Sequence, residues 1–579
     1  MTAPARWALV MLAASMAGCG GGDDGRGNEG GDDGHGDGGN DGGDGGHGDG
    51  GGGGGAAPCD RPTLDDEARV YALPSGYTAG AFGTLAAARA CGAAGLPSYT
   101  VLDATGDGTL DLVVTQLCGD ATVGDTRWIV HAGGPDGFGQ AATWNLPGGY
   151  LANSFGAASG EGVCGPAGLP SYATLDLTGD GRLDLVVTRL CGDATVGDTR
   201  WIVHAGGPDG FGPAATWALP PGYLANSFDR LTHEPVCGGG ALPTFATTDI
   251  SGDRRPDLVI TSLCNDGTVG DRRWVVHLAG TGGFGAATSW TLPAGYAAAS
   301  FSRLSGAPVC GGGALPTYIT TDLTGDRRAD LVVTERCDDG AVGDTRWVVH
   351  PGGDAGFGDA TAFALPAGYA PGSFPSIARA PACGGGALPT YATLDVTGDR
   401  RADLVVTERC DDGAVGDTRW VLHPGGDAGF GDATALALPA GYAPGSFPSI
   451  ARAPACGGGA LPTYATLDVT GDRRADLVVT ERCDDGAVGD TRWVLHPGGD
   501  AGFGDATALA LPAGYAPGSF RRTAREPTCG GGALPTFTTT DVDGDGRPDL
   551  LITARCDDAA VGDTGWHVHD NRCAAEATP

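Results

Sequence analysis

The sequence predicts an all-β fold: a seven-bladed β-propeller of four-stranded blades, its ring closed by pairing of the N-terminal strand with the last blade. Three observations predict it: a 73-residue repeat present seven times, four strand-like stretches in each copy, and complementary chain ends. The aromatic of a Leu-Pro-x-Tyr/Phe segment recurs at Tyr99, Tyr172, Phe245, Tyr318, Tyr391, Tyr464 and Phe537, each step 73 residues without an insertion. Residues 365–437 and 438–510 are identical, so those two copies count as one observation. Self-similarity at such a period marks a repeat architecture.

The fifth copy shows the elements in order. Tyr391 to Val396 alternates and carries β-branched and aromatic residues, which reads as a first strand. Asp395 to Asp403 is a tight acidic loop. Leu404 to Thr407 is a short continuous apolar run, as expected of a strand buried on both faces. After an Asp- and Gly-rich turn, Arg419 to His423 gives a third strand; Pro424 to Gly431 turns again, and Ala433 to Leu438 is the fourth. No helical periodicity competes with this reading. The last copy stops after its third strand, Gly565 to Asp570, while Arg69 to Pro74 before the first copy matches a fourth strand. A chain that begins on strand four and ends on strand three can close a ring, whereas a linear solenoid would leave two exposed edges.

Composition sets the surroundings of this core. The 579 residues carry a formal charge of −35, and all basic side chains are Arg, which argues against nucleic acid or an anionic lipid surface as main partner. Arg6 followed by the apolar run Trp7 to Ala17 reads as an export signal too short for a stable membrane span. It ends Met16-Ala17-Gly18-Cys19, which resembles the lipobox of bacterial lipoproteins and implies lipidation of Cys19. Residues 20–55 hold 22 Gly and 8 Asp, a solvated tether with nothing to bury. The expected organisation is a signal peptide at 1–18, a tether at 19–58, the propeller at 59–573 and a tail at 574–579. Export to a bacterial cell envelope follows, at the outer membrane if the cell is Gram-negative.

The 17 cysteines fit that destination. Beyond Cys19, fourteen recur as pairs 27 residues apart: Cys91/Cys118, Cys164/Cys191, Cys237/Cys264, Cys310/Cys337, Cys383/Cys410, Cys456/Cys483 and Cys529/Cys556. Each pair brackets the first two strands, so a disulfide within a blade is natural, with pairing between blades the alternative. Cys59 and Cys573 flank the outermost strands and are expected to form a clasp.

The acidic loops begin at Asp103, Asp176, Asp249, Asp322, Asp395, Asp468 and Asp541, and a Gly-Phe-Gly such as Gly137-Phe138-Gly139 follows the third strand. This pattern resembles the calcium loop and Phe-Gly element of FG-GAP/VCBS repeats, the blades of integrin-α-type propellers. The resemblance spans about residues 68–570 and implies up to seven Ca²⁺ sites. In the first copy the implied ligands are Asp103, Thr105, Asp107, the Thr109 carbonyl and Asp111; in the second they are Asp176, Thr178, Asp180, the Arg182 carbonyl and Asp184. The third to sixth copies supply Asp249, Asp253 and Asp257; Asp322, Asp326 and Asp330; Asp395, Asp399 and Asp403; and Asp468, Asp472 and Asp476. The seventh supplies Asp541, Asp543, Asp545, the Arg547 carbonyl and Asp549. Alternate positions of a tight loop can aim hard oxygens at one centre, as calcium requires. Copies one, two and seven keep Gly108, Gly181 and Gly546 at the sharp turn and are expected to bind tightest. Copies three to six place Arg254, Arg327, Arg400 and Arg473 there, which strains the turn and opposes a cation.

Trp128 and His131, with their six repeats, lie on the third strand and read as frame. So do the loop aromatics Tyr150, Phe155, Tyr369 and Phe374, with stacking on sugar rings as the rival role. Almost every polar feature is copied sevenfold, and no nucleophile elbow, zinc helix or dinucleotide loop occurs. The sequence reading is therefore a non-catalytic, monomeric, surface-anchored binding or adhesion module with a protein or glycan partner. A lectin is the alternative, and a polysaccharide-cleaving enzyme ranks last. The ligand surface is expected on the face opposite the acidic loops.

Overall fold

The computed structural model describes residues 59, 61–88, 95–162, 168–234, 242–307, 315–379, 388–399, 401–452, 461–525 and 534–573, all within one compact unit, Pro58–Pro579. The expected signal, tether and tail lie outside the described residues. So does one cysteine of each 27-residue pair. Regular structure among the described residues is β throughout, in repeated four-stranded antiparallel sheets that give a propeller-like array. No helix there is long and apolar enough to cross a membrane.

The fifth repeat illustrates how sequence becomes sheet. Its strands, Thr390–Leu394, Asp403–Glu408, Arg419–His423 and Thr434–Ala437, pair in chain order. Tyr391 faces Val406, Leu404 faces His423 and Trp420 faces Leu436. Leu404, Val405 and Val406 are wholly buried, as the unbroken apolar run predicts. The first strand ends at Leu394, two residues earlier than the alternation suggests. The reason is local: the Val396 N–H donates to Asp403 and the Gly398 N–H to Asp395, so the chain has already turned into the loop.

The N-terminal segment enters the last sheet. Arg69–Ala72 pairs antiparallel with Gly565–His569, supplying the fourth strand that the seventh copy lacks. Pro62–Leu64 pairs with Asn571–Cys573, and a disulfide joins Cys59 to Cys573. Arg69 forks onto Asp570 beside this seam at 2.6 and 3.0 Å.

Two pairings join or extend the sheets that strand counting does not foresee. Short stretches of the connection between copies, such as Ala378–Arg379, lie along the first strand. The Gly-Phe-Gly segment pairs in parallel with the fourth strand of the preceding sheet, as at Gly210↔Asn145 and Gly429↔Ala364. It brings a Phe edge-on to the preceding third-strand Trp, for example Phe211 to Trp128 and Phe430 to Trp347. These Trp residues are buried, and each donates its indole N–H to a Phe carbonyl, as Trp420 does to Phe447 at 2.7 Å. Trp493 precedes the one junction without a Gly-Phe-Gly, and its core cluster contains Leu64 from the N-terminal segment.

Candidate metal centres and ligand clefts

Each acidic loop is wound around its own carboxylates. In the first copy, Asp103 Oδ1 accepts the N–H groups of Gly106 and Asp107, and Oδ2 that of Gly108. Asp111, fully buried at the start of the second strand, accepts from Ala104, Thr105 and Gly133 at 2.8–2.9 Å. Asp107 caps the Thr109 N–H. Burial pushes the last Asp of every loop above the ordinary carboxylate range, against the pull of its N–H donors. Asp476 rises to about 6 and Asp549 to about 7.

Donor atoms accumulate in these loops beyond what the backbone uses. The buried hydroxyls of Thr178, Thr324 and Thr397, at the third loop position, have no hydrogen-bond partner. Thr105 shares that position without well-formed bonding, although its hydroxyl helps hold the neighbouring Asp111 ionised. Carboxylate oxygens of Asp249, Asp253 and Asp257, and of Asp541, Asp543 and Asp549, can lie within 4.8 Å of one another. The two features fall in different loops, and in both the donors are all oxygen, which suits a hard divalent cation such as Ca²⁺ rather than zinc or copper. Such carboxylate triads form in the third loop, which the sequence ranked low, and in the seventh. Asp545 is turned away from that group by its ion pair with Arg547.

The Arg residues at the sharp turn hold the same left-handed backbone as the corresponding glycines, and space does not bar a side chain there. Arg254, Arg327 and Arg473 adopt φ of 69–71°, where Gly108, Gly181 and Gly546 have 83–87°. Nothing lies within 4 Å of a Cβ built on those three glycines. Arg400 lies outside the described residues. Adjacent loops abut: a Cβ on Gly106 would meet the Gly181 carbonyl at 2.6 Å, and one on Gly471 would meet Arg547 Cγ at 2.8 Å.

The other predicted ligand surface holds a feature that sequence reading missed. The Tyr of each connection reaches the His of the next third strand, Oη to Nε2, at 2.9–3.3 Å in all seven copies. His Nδ1 faces a backbone carbonyl, so it carries the proton and Nε2 accepts from Tyr. Burial lowers the His pKa and raises the Tyr, Tyr369 to about 12, so both are neutral. In copies four to seven an Arg lies 4.3–4.5 Å over that Tyr ring: Arg336, Arg409, Arg482 and Arg555. Arg409 also forks onto Asp411 and donates to the Gly368 carbonyl. Beside it Arg419 pairs with Asp412 at 2.7 Å. Copies one to three have Leu117, Leu190 and Leu263 at the Arg position, a break in the repeat that could have signalled the site. A cavity of about 280 Å³ opens in the fifth copy beside Tyr369, Arg409, Asp412, Arg419 and His423. A smaller one, about 50 Å³, lies beside Tyr442, Arg482 and Asp484.

The seven inner cysteines Cys118, Cys191, Cys264, Cys337, Cys410, Cys483 and Cys556 are disulfide-bonded, their partners lying outside the described residues.

No protein-family model and no curated protein matches this chain. Among solved structures, it is similar to an Agrocybe aegerita lectin that recognises non-reducing terminal N-acetylglucosamine: 18% identity, 74% of this chain, 85% of that one, TM-score 0.37. It is also similar to a Penicillium chrysogenum α-L-arabinanase complexed with arabinobiose (10%, 67% and 88%, 0.23). A third is an exo-β-1,3-galactanase from Clostridium thermocellum (12%, 72% and 80%, 0.18). These likenesses lend no ligand or activity to this chain. The expectation that the chain is not an enzyme does not stand, and solved structures similar to it include an arabinanase and an exo-β-1,3-galactanase. Sevenfold copying of polar side chains, on which that exclusion rested, is compatible with a catalytic propeller.

Proposed function

We propose that this chain is a calcium-stabilised, closed seven-bladed propeller of FG-GAP/VCBS type, held at a bacterial envelope by lipid on Cys19, and that it binds carbohydrate. The recurrent Tyr–His–Arg–Asp cleft carries the reading of function. It sets an aromatic ring, two guanidinium groups and two carboxylates on rigid strands and turns, the mixed apolar and hydrogen-bonding lining that small polar ligands need. Pairing of Arg69–Ala72 with the last sheet supports ring closure. Calcium would be held by the first, third, fifth and last loop positions, where it neutralises carboxylates that otherwise repel and are costly to bury.

A glycan array probed with the chain from residue 20 onward, in millimolar calcium, tests this. Saturable binding displaced by free saccharide is expected. A folded, calcium-loaded protein that binds no glycan would overturn it in favour of a protein ligand. One feature favours that second reading: Leu151 and Leu224, in the first two connections, are 54% and 48% exposed.

A further inference from the structure

The clefts are not seven of a kind. Resting on the carbohydrate reading, we propose that copies four, five and six form three equivalent sites for neutral saccharides, and that the other four clefts are not such sites. The fifth cleft is built by Arg409 stacked on Tyr369 and forked onto Asp411, with the Arg419–Asp412 pair opposite and Ala435 on the fourth strand. The fourth and sixth copies repeat every part. Arg336 with Asp338 and Arg482 with Asp484 form the stacked forks. Arg346–Asp339 and Arg492–Asp485 form the second pair. The small fourth-strand residue is Ala362 or Ala508.

The remaining copies change the parts that would touch a ligand. Copies one to three replace the stacked Arg by Leu117, Leu190 and Leu263 and its Asp by Gly119, Gly192 and Asn265. Their fourth strands also carry Thr143, Thr216 and Ser289 in place of alanine. Copy seven keeps Arg555 over Tyr515 but has Gly565 instead of the second Arg, and Val70 and His567 fill the wall.

Charge selects the ligand class. Each complete cleft holds two Arg and two Asp, its His and Tyr are neutral, and a further carboxylate acts on the His (Asp359, Asp432 or Asp505), so the cleft carries no surplus positive charge within a chain of −35. An anionic sugar would meet an unfavourable long-range field with no surplus cation to offset it. Preformed Arg–carboxylate pairs instead present fixed donors and acceptors side by side, which suits adjacent hydroxyls of a neutral ring. The side chains are already ordered by their mutual bonds, so little further entropy is lost on binding.

Native mass spectrometry and titration calorimetry with neutral methyl glycosides and the corresponding uronates would test this on the chain from residue 20. Three equivalents of one neutral glycoside should bind, with at least a tenfold preference over its uronate. The triple variant Arg336→Leu, Arg409→Leu, Arg482→Leu places in these clefts the residue that copies one to three already tolerate. It should keep the melting temperature within a few degrees and lose all three equivalents. Conversely, Leu190→Arg with Gly192→Asp and Thr216→Ala should add a fourth. Seven equivalents, undiminished binding by the folded triple variant, or preference for the uronate would each overturn the inference while leaving a carbohydrate-binding function intact. No glycoside binding by the parent chain would overturn both.

Discussion

A residue forced to φ near 70° exposes what glycine does in the acidic loops. Arg254, Arg327 and Arg473 hold the left-handed conformation at a cost of about 1–2 kcal/mol each for a side-chain-bearing residue. Part of that returns on mutation because glycine loses more entropy on folding. Arg254→Gly should therefore stabilise the protein by about 1 kcal/mol in urea titration; no change would show that the turn is unstrained. The buried carboxylates give a second prediction. Asp549 and Asp476 titrate at about 7 and about 6 when folded, above their unfolded value, so without cation their contribution to stability is present in acid and lost as pH rises through 6–7. The seven strand His residues act oppositely: burial lowers them, so stability is lost as pH falls below their ordinary value. Protons and calcium compete for the same carboxylates. The rise in melting temperature on adding calcium to EDTA-treated protein should be large at pH 8 and shrink towards pH 5. Calorimetry showing an increment independent of pH would refute a role for these loops in binding the ion.

At the scale of elements, the Gly-Phe-Gly segment explains how one sheet recognises the next. A Cβ on Gly210 would lie 2.4 Å from the Asn145 amide nitrogen, and one on Gly137 2.3 Å from that of Ala72. Backbones approach so closely that only glycine fits, and the intervening Phe then reaches the neighbouring Trp. Gly210→Ala should cost about 1–3 kcal/mol through overpacking and strain, measured as a lower urea midpoint with unchanged m-value. The sequence showed this segment as a recurring motif but not its purpose. Its contacts lie across a junction, 65 residues from Gly210 to Asn145, whereas strands and acidic loops are written in alternation and spacing over fewer than ten residues. The Tyr–His pair was hidden for the same reason. Tyr369 and His423 are 54 residues apart, and each alone reads as ordinary packing.

For the molecule as a whole, the two chain ends meet along one paired and disulfide-linked seam. Arg69–Ala72 completes the last sheet, Pro62–Leu64 pairs with Asn571–Cys573, and Leu64 packs in the cluster of Trp493. Two loops hold this seam: Asp549 accepts the Asn571 N–H at 2.8 Å, and the Asn571 side chain donates to the Val469 carbonyl at 2.9 Å. The Cys59–Cys573 disulfide closes 514 residues of chain. Replacing both cysteines by serine should cost about 3–5 kcal/mol in denaturant titration, because the unfolded chain regains the freedom that so long a loop forbids. A cost near zero would mean that strand pairing alone secures the ends.

The sequence by itself determined the repeat, the strands within it, the acidic loops and the complementary ends, because each depends on residue order within a few neighbours or on a fixed period. Only the tertiary structure decided which loops gather three carboxylates and which clefts carry a stacked Arg on Tyr and His. Those outcomes depend on how side chains are aimed in space, around a single turn in the loops and across the 54 residues between Tyr369 and His423 in the cleft, and small departures from the repeat matter there only once the geometry has set them face to face.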